Sequence, residues 1–332
     1  MTGYTVAIVG AASDLGREVQ AVLRERLFPV AGWRLVDDDE DADDDELADA
    51  LVPPDAFDVS EVDLAFLCGG TEQSASFGAR ALEAGVVVID LVQALSDVEG
   101  AQYVVPEVNA DVVGVEPGPL CCPVPGAAAL AVVLRPLDEA AEIKRVVVTA
   151  FEPVSIAGRP GIEELAQQTR DLLSGESVEH AVFPHRIAFN LIPQVGDFVS
   201  GGRTRGEWLV ESQTRRVLDL PDLPLTVTSV CVPTFYGQAY VLHVETERPL
   251  DAVAAAAVLR NAPGILLVDA STGADYPTLA DTMGSEATHV GRVRDDPTVP
   301  YGLALWVVVD GLRKGGAVTA VQIAERAMRA ES

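Results

Sequence analysis

The opening stretch Val6-Ala7-Ile8-Val9-Gly10, followed by Ala11-Ala12-Ser13-Asp14-Leu15-Gly16 and a helical pattern reaching Leu27, constrains this chain more than any other segment. A short apolar run that breaks at a glycine and passes through a tight turn into a helix is the entry to an α/β sheet. The turn also carries chemistry. Free backbone N–H groups at a helix N-terminus, together with the helix dipole, favour a pyrophosphate. The predicted cofactor-binding set is therefore Gly10, Ala12, Ser13, Asp14, Leu15 and Gly16, joined by Asp37 at the end of the second strand and by Gly69 and Gly70 after the third. Ser13 stands where glycine would let the backbone close on phosphate, so its hydroxyl either bonds the phosphate or obstructs it. The bland alternative is a tight turn kept for folding.

The same unit recurs along the chain. Trp33–Val36, Asp63–Cys68 and Val86–Asp90 are apolar runs with polar ends, suited to parallel strands buried on both faces, and helical stretches such as Ser74–Glu83 lie between them. The predicted class is α/β, a Rossmann-type doubly wound parallel sheet. The character changes at Pro123-Val124-Pro125-Gly126: an Ala/Leu/Val helix runs to Leu134, and Ile143–Ala150 reads as a strand opening a second, α+β domain. Leu225–Val232 and Ala239–Val244 suit an antiparallel sheet, and Gly315–Ala330 a long terminal helix. A chain of 332 residues with 48% hydrophobic content has material for two cores. The expected division is a dinucleotide-binding domain over 1–126, with the terminal helix 312–330 returning to it, and a substrate and dimerisation domain over 127–311.

Charge narrows the ligands. With 23 basic against 51 acidic residues the formal charge is -28, which opposes nucleic acid and anionic membranes and favours solubility. Much of the acid follows the second strand, in Asp37-Asp38-Asp39-Glu40-Asp41 and Asp43-Asp44-Asp45-Glu46. A carboxylate there accepts from the ribose 2'-hydroxyl of NAD and repels the 2'-phosphate of NADP, so NAD is the favoured dinucleotide. The alternative is a solvated acidic loop. The cysteines Cys68, Cys121, Cys122 and Cys231 lack C-x-x-C spacing, and four dispersed histidines suggest no metal site. The chain opens straight into its first strand and holds no uncharged apolar run of about 18 residues, so a cytoplasmic location is expected.

Several segments together resemble aspartate-semialdehyde dehydrogenase: Val105-Pro106-Glu107-Val108-Asn109, Gly161-Ile162-Glu163-Glu164-Leu165, Ala188-Phe189-Asn190-Leu191-Ile192-Pro193-Gln194, Val290-Gly291-Arg292-Val293-Arg294, Leu312-Arg313-Lys314-Gly315 and Ala320-Val321-Gln322-Ile323-Ala324-Glu325. The resemblance spans nearly the whole chain. It implies a homodimeric family that reduces aspartyl phosphate to the semialdehyde with NADPH through a cysteine thioester, in which a histidine moves the proton and cationic side chains hold phosphate and carboxylate.

The residues that this chemistry needs are replaced. The resemblance places the family's nucleophile ten positions before Arg135-Pro136-Leu137, on Pro125. The glutamine near that nucleophile falls on Glu152. A substrate-gripping arginine and the catalytic histidine, seven residues apart, fall on Cys231 and Gln238, and Gln238 does not titrate near neutrality. The phosphate-binding arginine falls on Ser96, the substrate lysine on Leu209 and an asparagine near the cofactor on Gly311. So many departures have one simple cause, a scaffold relieved of its chemistry. The expected function is a catalytically inactive homologue, retained as a homodimeric binding or regulatory protein. The alternative is an active NAD(P)-dependent semialdehyde dehydrogenase that uses Cys122, three residues before Pro125 near a helix start where thiol pKa values fall, or that acts on another substrate. His185 and His243 are the remaining candidate bases; His243, in an alternating strand, reads more plainly as a packed or solvated side chain, and His185, before Ala188-Phe189-Asn190, has no evident partner.

Overall fold

The computed structural model describes residues 3–37, 51–268 and 275–330. The acidic residues 38–46 singled out above lie outside the described residues. By its internal contacts the chain divides into two units, Met1–Ala128 with Leu312–Ser332, and Ala129–Gly311.

In the first unit β1 (Tyr4–Val9), β2 (Val30–Val36), β3 (Leu51–Val52), β4 (Leu64–Leu67), β5 (Val87–Asp90), β6 (Gln102–Tyr103) and β7 (Leu120–Cys121) form one parallel sheet in the order β3-β2-β1-β4-β5-β7-β6. The period-two geometry of β1 feeds two cores at once. Val6 and Ile8 join Val19 and Leu23 of α1 (Asp14–Glu25) and Val321 and Ala324 of the terminal helix, while Ala7 and Val9 join Phe77 and Ala81 of α2 (Thr71–Glu83) on the opposite face. The chain winds outward to β2 and β3 on one side of β1 and to β4 and β5 on the other. The β1–β4 boundary is thus the switch point, where the turns beyond the strand ends leave a crevice.

Two of those turns touch. Gly10 has φ of +79°, and a Cβ built there would lie 2.3 Å from the Cα and the N of Gly69; a Cβ on Gly16 would lie 2.2 Å from the carbonyl oxygen of Gly10. Both obstacles are backbone, which cannot swing aside. Gly10→Ala therefore combines left-handed strain with overpacking, and a loss of about 2–5 kcal/mol is expected as a lower urea midpoint.

The second unit is built on a six-stranded sheet in the order β11-β12-β13-β10-β8-β9, from β8 (Ile143–Glu152), β9 (Leu225–Cys231), β10 (Gln238–Thr246), β11 (Ile265–Val268), β12 (Thr288–Asp296) and β13 (Gly302–Val309). The expected antiparallel sheet is in fact mixed. β10 runs antiparallel to β8 and β13, but β9 runs parallel to β8. A return to the same end of the sheet requires a crossover, and residues 153–224 supply it.

Two helical boundaries also differ from expectation. α3 (Pro125–Ala141) does not stop at Leu134 but continues through Pro136. Leu130, Leu134, Leu137 and Ala141, fully buried at helical spacing, hold it together past the missing N–H. The C-terminal helix begins with wide π-type turns over Arg313–Val318 before its regular part, Thr319–Ala330, and the Thr319 hydroxyl donates to the Lys314 carbonyl across that junction (2.5 Å). The crossover contains α4 (Gly158–Ser174) and α5 (Arg205–Leu218), the latter opened by a reciprocal cap between Thr204 and Glu207. α5 lies along the outer edge of β9: Glu207 Oε1 accepts from the Ser229 N–H and Glu211 Oε1 from the Val227 N–H, both at 3.0 Å. α6 (Ala252–Arg260) precedes β11. No helix among the described residues is long and apolar enough to cross a membrane.

Candidate functional site

The nine residues predicted to bind a cofactor gather beyond the C-terminal ends of β1, β2 and β4. Their hydrogen bonds divide them. Ser13 caps α1: its Oγ accepts from the Gly16 N–H (3.0 Å) and donates to the Gly10 carbonyl (2.7 Å). The hydroxyl is thus turned inward to hold the turn shut. Asp37 Oδ2 accepts from the Ala12 N–H at 3.0 Å, placing a carboxylate at the rim of the turn. The Gly10 N–H goes to the Val36 carbonyl and the Ser13 N–H to Gly10. The N–H groups of Asp14 and Leu15, in the first turn of α1, are left with no acceptor among the described residues. A Cβ on Gly70, the cap of α2, would meet nothing within 4 Å, whereas one on Gly69 would strike the Gln73 Oε1 at 2.6 Å. The open space at Gly70 and the two unused donors of α1 both follow C-terminal strand ends of the parallel sheet, a setting that suits a phosphate-bearing ligand.

The next strand ends carry Ser96 and Pro125. The buried Asp90 carboxylate at the end of β5 accepts from the Val92 and Leu95 N–H groups and folds the following loop back on itself. Within that loop Gln93, at φ +64°, donates from Nε2 to the Cys122 carbonyl (2.7 Å) and accepts from the Tyr103 hydroxyl (3.1 Å). Ser96 donates only to the Gln93 carbonyl. Pro125 is the first residue of α3, where its fixed φ and missing N–H suit a helix start. The backbone of Gly315 lies against it, since a Cβ there would be 2.4 Å from the proline Cβ.

Cys122 sits just before that helix start, but the expected lowering of its thiol pKa is reversed. It is 1% exposed, and burial first, then Cys121, Asp90 and Cys68, push the thiol well above its ordinary value. Apolar burial outweighs the helix terminus because a thiolate there has no cation to pair with among the described residues. Cys68 is raised likewise by burial and by Asp90.

In the second unit, strand register assembles a row. Glu152 at the end of β8 lies beside Cys231 of β9, and Gln238 opens β10 on its other side. Gln238 Nε2 donates to Glu152 Oε2 at 2.5 Å. Burial raises the Glu152 carboxyl to about 7, against a smaller lowering by that bond, and the Cys231 thiol is pushed up to about 12 by burial and by Glu152. Gln238 Oε1 and the Tyr240 hydroxyl are buried with no hydrogen-bond partner among the described residues. Elsewhere Leu209 is half-buried on α5, and Gly311 follows Asp310, whose carboxylate accepts from the Gly284 N–H. His185 is exposed, and His243 pairs with Asp296 on the exposed side of β10 (2.9 Å). No group of three or more His, Cys, Asp or Glu among the described residues could hold a metal ion. Sequence reasoning missed Gln93 and Tyr240; nothing local marks either, since one depends on a positive φ and the other on register.

Two family profiles cover most of the chain. The profile of the semialdehyde dehydrogenase NAD-binding domain matches residues 5–115, and that of the semialdehyde dehydrogenase dimerisation domain matches residues 134–314. An aspartate-semialdehyde dehydrogenase 2 of Vibrio cholerae is 37% identical over 98% of each chain. The chain belongs to the aspartate-semialdehyde dehydrogenase family. The crystal structure of aspartate semialdehyde dehydrogenase II from Vibrio cholerae superposes with a TM-score of 0.93, covering 98% of this chain and 99% of that one at 37% identity. A protein of Azotobacter vinelandii named USG-1 protein homolog is 36% identical over 96% of each chain. The parallel sheet with its open turn is thus the NAD-binding domain of this family, and the mixed sheet its dimerisation domain.

Proposed function

We propose that this chain is a catalytically silent member of the aspartate-semialdehyde dehydrogenase family, a homodimeric binding or regulatory protein that retains a dinucleotide site. One observation carries the reading: all four cysteines are buried, and the three with resolved shifts hold their protons more tightly than a free thiol. Burial thus disfavours the thiolate, the form that attacks, at Cys68, Cys122 and Cys231. The other replacements agree with it. Pro125 serves as a helix start, Gln238 carries no titrating group, and Ser96 and Leu209 bring no positive charge.

The residues present suit a dinucleotide. Asp14 and Leu15 would give their N–H groups to its phosphates near Gly70, Gly10 and Gly16 would keep the turn tight, and Asp37 would face the adenosine ribose. Such a cofactor supplies a hydride acceptor or donor when bound. With its carboxylate on the Ala12 N–H, Asp37 lies where the 2'-phosphate of NADP would bring more negative charge, so NAD is the favoured form. Asp37→Ser is expected to raise the affinity for NADP relative to NAD by about tenfold in calorimetric titrations. Homodimer formation is supported by the dimerisation-domain match and by Val147, Phe151, Val230, Val241 and Trp306, which stay half-buried on one face of the second sheet.

The deciding experiment is phosphate-dependent reduction of NAD and of NADP with aspartate semialdehyde, run on the protein and on Cys122→Ala. No turnover in either is expected. Native protein should also resist thiol alkylation at all four cysteines until denatured. Turnover that disappears in Cys122→Ala would establish the active alternative instead.

A further inference from the structure

The Glu152 row contains a conflict that the proposed function leaves unused. The hydrogen bond from Gln238 Nε2 serves the ionised carboxylate, an acceptor only. The surroundings serve the acid. Glu152 is 5% exposed, no cation pairs with it among the described residues, and its neighbours across the sheet are the Cys231 thiol on β9 and the Gln238 amide and Tyr240 phenol on β10, all uncharged. Val309 of β13, opposite Gln238, is apolar, and the carboxylate of the adjoining Asp310 is engaged by Gly284. A protonated Glu152 would need an acceptor for its O–H, and Gln238 Nε2 is a donor. The missing acceptor is present in the same side chain: Gln238 Oε1 is buried and unpaired.

We propose that Glu152 and Gln238 form a proton-operated switch in which protonation of Glu152 reverses the Gln238 carboxamide. The proton comes from solvent, the O–H of the acid donates to Oε1, and Nε2 turns to where Oε1 had been. Tyr240, two residues further on the same face of β10, feels the charge of Glu152, and its buried hydroxyl likewise has no partner among the described residues. Because the carboxyl titrates at about 7, both states are populated near neutral pH. The switch therefore transmits ambient pH to the row Cys231–Glu152–Gln238, whether or not the protein turns over a substrate.

The test uses the full-length protein and needs no ligand. Infrared difference spectra taken from about pH 5 to about pH 9 should show a carboxylic-acid C=O band lost with a midpoint near 7, and absent in Glu152→Gln. In parallel, the side-chain amide resonances of Gln238 in protein labelled with nitrogen-15 at glutamine, assigned with Gln238→Asn, should shift with the same midpoint. The second measurement is made on unaltered protein, so it stands even where Glu152→Gln folds poorly. A titrating acid band with an immobile Gln238 amide would overturn the switch, as would the absence of any such band in the unaltered protein.

Discussion

Glu152→Gln is expected to gain stability over the parent protein as pH rises, by roughly 3 kcal/mol between about pH 4 and about pH 8. The carboxyl titrates at about 7 in the folded protein against an ordinary 4.5, so between those values the folded state holds a proton that the unfolded state has released. Stability contributed by the buried acid is complete below 4.5, falls as pH climbs to about 7, and is flat above. Glutamine stays neutral throughout and accepts the same Gln238 donor, so the variant lacks this slope. Urea unfolding at several pH values measures it directly. Parallel curves for the two proteins would mean that Glu152 is solvated like a free carboxyl.

Lys314→Met should cost about 3–5 kcal/mol, the penalty for stranding one member of a buried ion pair. The Lys314 ammonium bonds Glu107 Oε1, with the two side chains 4% and 10% exposed, and Glu107 Oε2 already lacks a partner. Removing the ammonium leaves a carboxylate with neither water nor a cation. The double variant Lys314→Met, Glu107→Leu should recover most of the loss, because two apolar groups of similar volume avoid the desolvation that the pair must offset. Equal losses in the single and double variants, compared by urea midpoint, would place the cost in packing and not in charge.

What could be read from the sequence was what is locally encoded. The β1 turn needs only an apolar run, a glycine and a helix start, all within Val6–Gly16, so Gly10 to Gly16 form it locally, while Asp37 and Gly69 reach it through the parallel order of the strands. From the sequence the Ser13 hydroxyl either bonds a phosphate or obstructs it; its contacts to Gly10 and Gly16 show it capping α1, a role the segment alone does not announce. The apolar pattern carries α3 only to Leu134, but the buried leucines around Pro136 outweigh one lost N–H and extend it, and no local signal reports that burial. The direction of β9 depends on where the crossover delivers it, and the Glu152–Gln238 contact depends on register between strands far apart in sequence. The Gln93 tether is equally nonlocal, tying one loop to the end of another strand.

The two glutamates of α5 have an effect on the protein's dealings with other chains. Strand β9 is the rim of its sheet, and a rim with free N–H groups invites a foreign strand to dock and extend the ladder. Here the inviting groups at Val227 and Ser229 already end on carboxylates buried beneath a helix, so an intruder would find its places taken and would first have to uncover two anions. The rim is closed to recruitment for as long as α5 stays folded, which links the helix's own melting to the onset of aggregation along that side.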